Sequence, residues 1–382
     1  MRVEQVLTGI TAAFVALVVM TGCSSDTETD FPVGAVDDAA RSGDPAEFID
    51  ELSGSGFNAL AITTVWRPGQ TQPDAAEIET LRRVAAAAED RSVRLFVIVY
   101  HAGSATTPTR PEARSAFAQY AAAVARELVS VDDVIVGNEP NLNRFWLPQF
   151  GPEGENAAAP AYLALLAETY DAVKEARSDV RVWGGATAPR GADRPDSSRH
   201  TQSPSAFIHA LGVAYRQSRR DRPVMDGFVH HPYPESARVA IDLRHPNVPT
   251  IGLADYDKLV SLLGEAFDGT AQAGSDLPIL YGEVGVETSI PADKALLYDG
   301  EEPVPTTSED DQAAKYRRVL ELASCQANVA GVLFFHLRDE PALSGWQSGV
   351  QFADGTPKES LAPVGSAARE AADGGLGARC GQ

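Results

Sequence analysis

The regular alternation of short apolar segments with longer amphipathic segments is the feature that most constrains this chain. Continuous β-branched and apolar segments are typical of strands buried on both faces, and amphipathic segments are typical of helices that cover a sheet. The alternation predicts strands at residues 31–36, 59–65, 93–100, 134–139, 180–186, 225–231, 278–284 and 329–335. It predicts a helix after each strand, at residues 45–53, 75–91, 111–129, 159–176, 205–219, 256–267, 310–327 and 361–372.

Eight strand–helix units in succession are the number that a (β/α)8 barrel requires. The alternative is an open doubly wound sheet, which normally has a glycine-rich phosphate-binding turn after its first strand. Residues 33–37 read VGAVD and do not form such a turn. We find no internal repeat and no second domain. The sequence therefore predicts an α/β fold, a single-domain (β/α)8 TIM barrel over residues 31–382.

The first 30 residues indicate export rather than a folded element. Arg2 precedes an apolar run at residues 10–20 that is too short to span a bilayer comfortably, and the run leads into MTGC, ending at Cys23. This segment resembles a bacterial lipoprotein signal peptide, which implies that residues 1–22 are removed and that a lipid on Cys23 anchors the protein to the membrane. An ordinary secretory signal is the alternative. Residues 23–30 are polar and acidic, as expected of a tether.

Two cysteines, Cys325 and Cys380, remain once Cys23 is set aside. In an oxidising compartment two such cysteines usually pair, and the disulfide would tie the C-terminal tail to the seventh helix. Two free buried thiols are the alternative. Neither cysteine has a second Cys or a His at ligand spacing, so we predict no metal site. A formal net charge of −21 without a basic cluster argues against nucleic acid as a partner.

Two glutamates stand where predicted strands end. Residues 134–141 read VIVGNEPN, in which a β-branched run stops at Asn138-Glu139 and Pro140 keeps Glu139 out of a helix. Residues 278–284 read PILYGEV and place Glu283 in the same position on another strand. Because the carboxyl ends of barrel strands share one face, we expect the two carboxyl groups to meet across a pocket. Glycoside hydrolysis needs two carboxyl groups that flank the scissile bond.

These two motifs resemble clan A of the retaining glycoside hydrolases, which are (β/α)8 barrels and include family 5 cellulases and mannanases and the family 39 enzymes. That clan carries an Asn-Glu acid/base at the end of strand four and a glutamate nucleophile at the end of strand seven. The resemblance implies that Glu139 is the acid/base, that Glu283 is the nucleophile and that Asn138 binds the sugar 2-hydroxyl. It covers nearly the whole mature chain as a pattern, but matches single residues only at strand ends.

The resemblance extends to the ends of strands six, two and three. His231-Pro232-Tyr233 is similar to the clan's His-x-Tyr segment, which implies that Tyr233 orients the nucleophile. His230 and His231 are adjacent and point to opposite sides, so the sequence leaves open which one faces the pocket. Arg67 is similar to an arginine that supports the nucleophile, with a surface position as the alternative. His101 is similar to a histidine that contacts the sugar.

The end of strand eight departs from the clan pattern, which often places a tryptophan there as a platform for the sugar. Residues 334–339 read FFHLRD, so His336, Arg338 or the later Trp346 are the candidates for that place. Trp66 and Trp146 are further candidates for sugar subsites, with core or loop-anchoring roles as the alternative. Glu287, four residues after Glu283, is interpreted as a loop acid or a subsite contact.

The sequence thus predicts a membrane-anchored glycosidase that acts on carbohydrate without a cofactor. It lacks the His-x-x-x-His pair of metallohydrolases and the Gly-x-Ser-x-Gly elbow of serine hydrolases. Long loops at residues 190–203, 236–255 and 289–307 are expected to wall the cleft. Two alternatives remain: a catalytically weak carbohydrate-binding lipoprotein, favoured by the altered strand eight, and a transglycosidase of envelope glycans, which needs the same carboxylates.

Overall fold

The computed structural model describes residues 31–381 of the chain. The predicted signal peptide, the tether and Cys23 lie outside the described residues. Eight parallel strands hydrogen-bond in sequence order, and the eighth pairs with the first to close the barrel. The predicted (β/α)8 TIM barrel is confirmed.

The strands are β1 (Val33–Val36), β2 (Ala59–Trp66), β3 (Arg94–His101), β4 (Asp133–Val136), β5 (Arg181–Thr187), β6 (Gly227–His230), β7 (Ile279–Val284) and β8 (Val329–Phe334). The helices that cover them are α1 (Pro45–Gly54), α2 (Ala75–Asp90), α3 (Pro111–Glu127), α4 (Ala158–Ala176), α5 (Pro204–Ser218), α6 (Tyr256–Phe267), α7 (Glu309–Ser324) and α8 (Leu361–Ala372).

Three strands, β4, β6 and β8, end earlier than the sequence predicts. β4 ends at Val136 rather than at residue 139, because Gly137 has φ 84° and Glu139 has φ 38°. Left-handed backbone conformations cannot continue a strand. β6 ends at His230 rather than at residue 231, and β8 ends at Phe334 rather than at residue 335. All three differences fall at the carboxyl ends of the strands, where the backbone leaves the regular sheet.

Apolar side chains fill two layers, one inside the barrel and one between the strands and helices. The inner layer consists of Val36, Ala59, Ala61, Phe96, Ile98, Ile135, Trp183, Ala186, Val229, Leu280 and Leu333. The outer layer takes the alternate strand residues, such as Leu60 and Ile62 on β2, and packs them against the helices. Burying each large apolar side chain contributes about 1.5–3 kcal/mol, so both layers hold the barrel together.

Side-chain caps set where several helices begin. Asp44 caps α1, because its side chain accepts a hydrogen bond from the Ala46 backbone N–H. Asp74, Ser203 and Ser308 cap α2, α5 and α7 in the same way. Each such cap stabilises its helix by about 0.5–2 kcal/mol.

The predicted disulfide is confirmed. Cys325 and Cys380 are bonded, with their Cα atoms 5.4 Å apart. Cys325 is the C-cap of α7, and Cys380 lies in the tail after α8, so the bond ties this tail to the seventh helix as expected. None of the helices within residues 31–381 is long and apolar enough to span a membrane.

Candidate active site

A cavity of about 950 Å³ opens at the carboxyl ends of the strands. Its lining includes Asn138, Glu139, Tyr233, Glu283, His336 and Trp346, which the sequence singles out as site residues. Each of the three long loops predicted to wall a cleft contributes to the lining, through Arg190, Ser236 and Val304 respectively. The cavity therefore collects residues that are more than three hundred positions apart in the sequence, from Val36 to Ala353.

Glu139 and Glu283 face each other in this cavity beside His231. One side-chain oxygen of each glutamate and a ring nitrogen of His231 all lie within 4.8 Å of one another. His231 Nδ1 is 3.3 Å from Glu139 Oε1 and 3.6 Å from Glu283 Oε2. Each glutamate side chain is only 12% exposed. The nearby Glu139 carboxyl raises the pKa of Glu283, because placing two negative charges this close together is costly.

An irregular backbone turns Glu139 into the cavity. Gly137 and Glu139 both have positive φ, and the Glu139 N–H donates to the Ala186 carbonyl at 2.8 Å. Ala186 itself has φ 45°, and β5 shifts register against β6 between Gly184 and Thr187. Left-handed non-glycine residues cost of the order of 1–3 kcal/mol each and concentrate at functional sites. The strain at Glu139 and Ala186 is thus located where it positions a carboxyl group.

A β-bulge turns Glu283 into the cavity. Tyr281 pairs with Val332 and Val284 pairs with Phe334, so β7 has one more residue than β8 over this stretch. Leu280 faces the barrel interior, whereas Val284 packs in the outer layer. Residues four apart on a regular strand would face the same side, so the bulge reverses the alternation before Glu283.

Tyr233 supports the ionised form of Glu283. Its Oη donates a hydrogen bond to Glu283 Oε2 at 2.9 Å. Burial raises the pKa of the Glu283 carboxyl, His231 and Tyr233 lower it, and the neighbouring Glu139 raises it further. Burial alone would lower the pKa of the His231 imidazole, but Glu283 and Glu139 raise it above its ordinary value. The pKa values of Glu283 and His231 are therefore each set by opposing effects of burial and of the neighbouring charged and polar groups.

The structure resolves the two adjacent histidines. His231 lies beside Glu139 and Glu283, which line the cavity, whereas His230 is fully buried on the other side, bonded to Thr187 Oγ1 and the Ile251 carbonyl, each at 2.9 Å. Burial lowers the pKa of His230 to about 4, so it stays neutral. His230 is a structural residue of the outer layer.

An aromatic wall stands beside Glu283. Trp346 lies with its ring centroid 5.0 Å from that of Tyr233 and 5.5 Å from that of Phe335. His336 also lines the cavity, and its Nδ1 bonds the Val36 carbonyl at 2.5 Å. Of the strand-eight candidates, Trp346 thus presents a large aromatic side chain to the cavity.

Trp66 and Arg67 do not reach the cavity, which corrects the sequence assignment. Trp66 is fully buried in the outer layer against Phe117, and its Nε1 donates to the Gln70 carbonyl at 2.7 Å. Arg67 is exposed and lines a separate groove that also contains Glu77. The reason is that β2 keeps its regular alternation to its last residue, so Trp66 faces the helices.

His101 and Trp146 are also placed outside the cavity. His101 is 3% exposed, bonds the Gly103 carbonyl at 2.9 Å and packs edge-on against Trp146. Burial lowers the pKa of His101. Trp146 is 1% exposed and belongs to the core. Tyr100, the residue before His101, lines the cavity instead, because it shares the inward side of β3 with Ile98.

Several lining residues were not found from the sequence. Asp37 directly follows β1 and accepts hydrogen bonds from the Leu337 and Arg338 backbone N–H groups, both at 3.2 Å. Phe335 and Arg190 line the cavity as well. The position of Asp37 at a strand end was a usable signal; for Arg190, which lies in a long loop, the sequence contains none.

Within residues 31–381, Glu139, His231 and Glu283 are the one group of Asp, Glu, His or Cys residues close enough to hold a metal ion. The resemblance assigns acid–base chemistry to Glu139 and nucleophilic attack to Glu283, and His231 lies beside both carboxyl groups. An arrangement of two carboxyl groups and one imidazole can hold and move a proton without a metal.

Comparisons with known proteins support this architecture. No protein-family model matches the chain, and no curated protein matches it. Among solved structures, a family 39 glycoside hydrolase from Bacteroides cellulosilyticus WH2 superposes with a TM-score of 0.63 at 17% identity, over 89% of this chain and 64% of that one. The exo-β-1,4-mannosidase Op5Man5 from Opitutaceae bacterium strain TAV5 gives 0.56 at 18% identity, over 91% and 60%.

A third similar structure is the endo-1,4-β-mannanase from Rhizomucor miehei, with a TM-score of 0.55 at 12% identity, over 92% of this chain and 97% of that one. The chain spans less than two thirds of the length of the first two proteins. At these identities the likeness establishes the fold: the structural neighbours are glycoside hydrolases built on the same eight-stranded parallel barrel.

Proposed function

We propose that this protein is a retaining glycoside hydrolase that cleaves O-glycosidic bonds of an oligo- or polysaccharide. The observation that carries the proposal is the pair Glu139 and Glu283, whose nearest side-chain oxygens lie within 4.8 Å in a cavity at the barrel mouth. Retaining enzymes hold their two carboxyl groups about 5–5.5 Å apart, whereas inverting enzymes need about 6.5–9.5 Å for an intervening water. The short separation supports double displacement.

In the proposed reaction Glu139 donates a proton to the leaving oxygen while the Glu283 carboxylate attacks the anomeric carbon. The glycosidic bond breaks and a glycosyl ester forms on Glu283. Glu139 then takes a proton from a water molecule, which attacks the anomeric carbon and releases Glu283. Tyr233 favours the ionised nucleophile through its hydrogen bond, and His231 lies within reach of both carboxyl groups.

The substrate is proposed to be carbohydrate because the cavity combines polar groups with an aromatic wall. Asn138 lines the cavity next to Glu139 and is assigned to the sugar 2-hydroxyl. Trp346 and Phe335 offer rings on which apolar sugar faces can stack. The proposed chemistry requires no cofactor.

We also propose that the chain is exported and anchored through a lipid on Cys23. This proposal rests on the MTGC motif after the apolar run at residues 10–20. In a bacterial host, Cys23→Ala is expected to move the protein from the membrane fraction to the soluble fraction and to remove the mass of the lipid. Unchanged fractionation and mass in Cys23→Ala would contradict the anchor.

The test of the enzymatic proposal uses a panel of activated fluorogenic glycosides with the wild type, Glu283→Ala and Glu139→Ala. We expect turnover of at least one sugar, its loss in Glu283→Ala, and its recovery in Glu139→Ala when azide is added, with a glycosyl azide as product. Products longer than the substrate would indicate a transglycosidase. Unchanged oligosaccharide binding in both variants, without turnover by the wild type, would contradict the enzyme and favour a binding protein.

A further inference from the structure

The cavity carries more negative charge than the proposed hydrolysis uses. Besides the catalytic pair, six carboxyl groups line it: Asp37, Asp38, Glu235, Glu287, Asp339 and Glu340. Three arginines oppose them: Arg144, Arg190 and Arg338. Arg338 is already paired with Glu51, which lies outside the cavity lining. Such a surplus of carboxyl groups attracts cations and repels anions, so it bears on which glycan can enter.

Two of these carboxyl groups are fixed to the backbone of the segment that carries Trp346. The Trp346 N–H donates to Glu340 Oε2 at 2.7 Å, and the Gln347 backbone hydrogen-bonds the Glu287 carboxyl. Among residues 31–381 neither glutamate forms an ion pair closer than 4 Å. The nearby Lys358 is occupied, because its Nζ is fully buried and bonds Asp339 Oδ1 at 2.8 Å and Thr288 Oγ1 at 2.7 Å.

Glu287 lacks a partner that its burial demands. The residue lines the cavity, is only 8% exposed, and its buried Oε2 has no hydrogen-bond partner within the described part of the chain. Leaving a buried polar oxygen without a partner carries a free-energy cost. Burial and the neighbouring Glu302 raise the pKa of Glu287 to about 7. A donor or cation bound beside this carboxyl group would remove the cost.

Trp346 supplies the second half of a cation site. Its ring lies in the cavity wall near Tyr233 and Phe335. A cation over the face of an indole ring is attracted by the ring quadrupole. A sugar that stacks on this ring and carries a cation must carry an amine. N-acetylation of that amine would remove the charge, and a uronic acid would oppose the field of the six carboxyl groups.

We propose that the glycan contains an amino sugar with a free amine, bound at Trp346 with its ammonium group held by Glu287 and Glu340. The inference rests on the proposed function and deepens it by naming the substrate class. It identifies the loops after β7 and β8 as the wall that selects the substrate. It also gives Glu287 a binding role distinct from the bond-breaking role of Glu139 and Glu283.

The test measures equilibrium binding in a Glu283→Gln background, so that bound glycan stays intact. The probes are three tetrasaccharides of equal length and linkage: β-1,4-linked glucosamine, its fully N-acetylated form and the neutral glucose tetramer. At about pH 6.5 most of the sugar amines are charged, and a bound ammonium group lowers the pKa of Glu287, so both partners are ionised in the complex. We expect the amine tetramer to bind about tenfold more tightly than the other two, with a preference that falls as salt is added.

Two variants localise the effect. Glu287→Gln and Glu340→Gln keep the side-chain shape and are each expected to reduce the amine preference by about three- to tenfold. Glu301→Gln is the matched control, because Glu301 is an exposed acid on the loop after β7 that does not line the cavity, and its preference should match the background protein. Equal binding of all three glycans, or binding of none, would overturn the proposal. An amine preference that survives in the variant carrying both Glu287→Gln and Glu340→Gln would also overturn it.

The outcome is independent of turnover. A protein that prefers the amine tetramer but hydrolyses no glycoside would contradict the proposed function and leave the binding site standing. A protein that hydrolyses neutral glycosides without an amine preference would contradict only the substrate class.

Discussion

The strands β2 and β3 end on side chains that face away from the cavity, whereas the irregular ends of β4, β5 and β7 turn Glu139 and Glu283 into it. β2 and β3 pair over eight consecutive residues, from Ala59 with Arg94 to Trp66 with His101, without a break in register. Their last side chains, Trp66 and His101, consequently lie buried outside the cavity. Both regions read alike in the sequence, as apolar runs that end on a polar or aromatic residue.

Irregular backbone distinguishes the second region. β5 and β7 contain register shifts, and Glu139 and Ala186 have left-handed φ. Each irregularity redirects one side chain, and as a result Glu139 and Glu283 both point into the cavity. Regular strands thus build the scaffold, and departures from regularity build the site.

Removing the proposed nucleophile should have the largest effect. Glu283→Gln keeps the size of the side chain but cannot form the glycosyl ester, so we expect kcat to fall by on the order of 10⁴-fold or more. Steady-state kinetics on the best fluorogenic glycoside measure this. If Glu283→Gln kept more than a tenth of wild-type turnover, the assignment of the nucleophile to the irregular end of β7 would be contradicted.

Disturbing the irregular end of β5 should have the next largest effect. Gly185 has φ 88°, and an added Cβ would lie 2.5 Å from the Phe228 ring, so Gly185→Ala is expected to destabilise the protein by about 3 kcal/mol through strain and a clash. We also expect kcat to fall, because the adjacent Ala186 carbonyl holds the Glu139 N–H. Chemical denaturation and kinetics measure the two effects.

Gly69→Ala is the matched control for that change. Gly69 has φ 90°, but nothing lies within 4 Å of the added Cβ, so only strain of about 1–2 kcal/mol is expected and kcat should not change. Equal effects of the two substitutions on kcat would show that the irregular strand end does not position Glu139.

Removing the hydroxyl that supports Glu283 should have a moderate effect. Tyr233→Phe deletes a hydrogen bond to a carboxylate, worth about 1.5–3 kcal/mol, and we expect kcat/KM to fall about 10- to 100-fold. Because Tyr233 lowers the pKa of Glu283, its loss raises that pKa, and the acid limb of the pH–kcat/KM profile should move to higher pH. The profile is measured on the same glycoside.

Tyr281→Phe is the control for the loss of a tyrosine hydroxyl close to Glu283 in the sequence but outside the cavity. Tyr281 lies two residues before Glu283 but faces the outer layer, where its Oη bonds Gln326 at 2.5 Å. Its substitution should leave the acid limb unmoved. A shift of equal size in both variants would exclude a specific role for Tyr233.

The smallest effect is expected in the regular region. Trp66→Phe removes the hydrogen bond to the Gln70 carbonyl and part of the packing on Phe117, so the free energy of unfolding should fall by about 1–3 kcal/mol with kcat unchanged. A loss of kcat in fully folded Trp66→Phe would return Trp66 to the substrate site and contradict the division between the two regions.

The barrel could be predicted from the sequence because a strand that is buried on both faces consists of a continuous run of apolar residues. The two glutamates could be predicted because Pro140 and the polar residues after Val136 and Tyr281 mark strand ends, and strand ends of a closed barrel share one face. The Cys325–Cys380 bond followed from counting cysteines once export was assumed.

The side to which a terminal residue points could not be predicted in the same way. It depends on whether the strand stays regular to its end, and the bulge before Glu283 and the left-handed turn at Glu139 leave no apolar pattern. Trp66, Arg67 and His101 were therefore assigned to the cavity in error. Trp346 contacts Tyr233 across more than a hundred residues of sequence, a proximity that only the closed barrel creates.

The most direct test of the central claim is to trap the covalent intermediate. The protein is incubated with the activated 2-deoxy-2-fluoro form of a glycoside that it hydrolyses, and the adduct is located by peptide mass spectrometry. We predict one sugar per protein, attached to Glu283, with no adduct on Glu139 and none in Glu283→Gln. Active protein that gives an adduct at another residue, or that releases the inverted anomer and gives no adduct, would contradict the proposed double displacement.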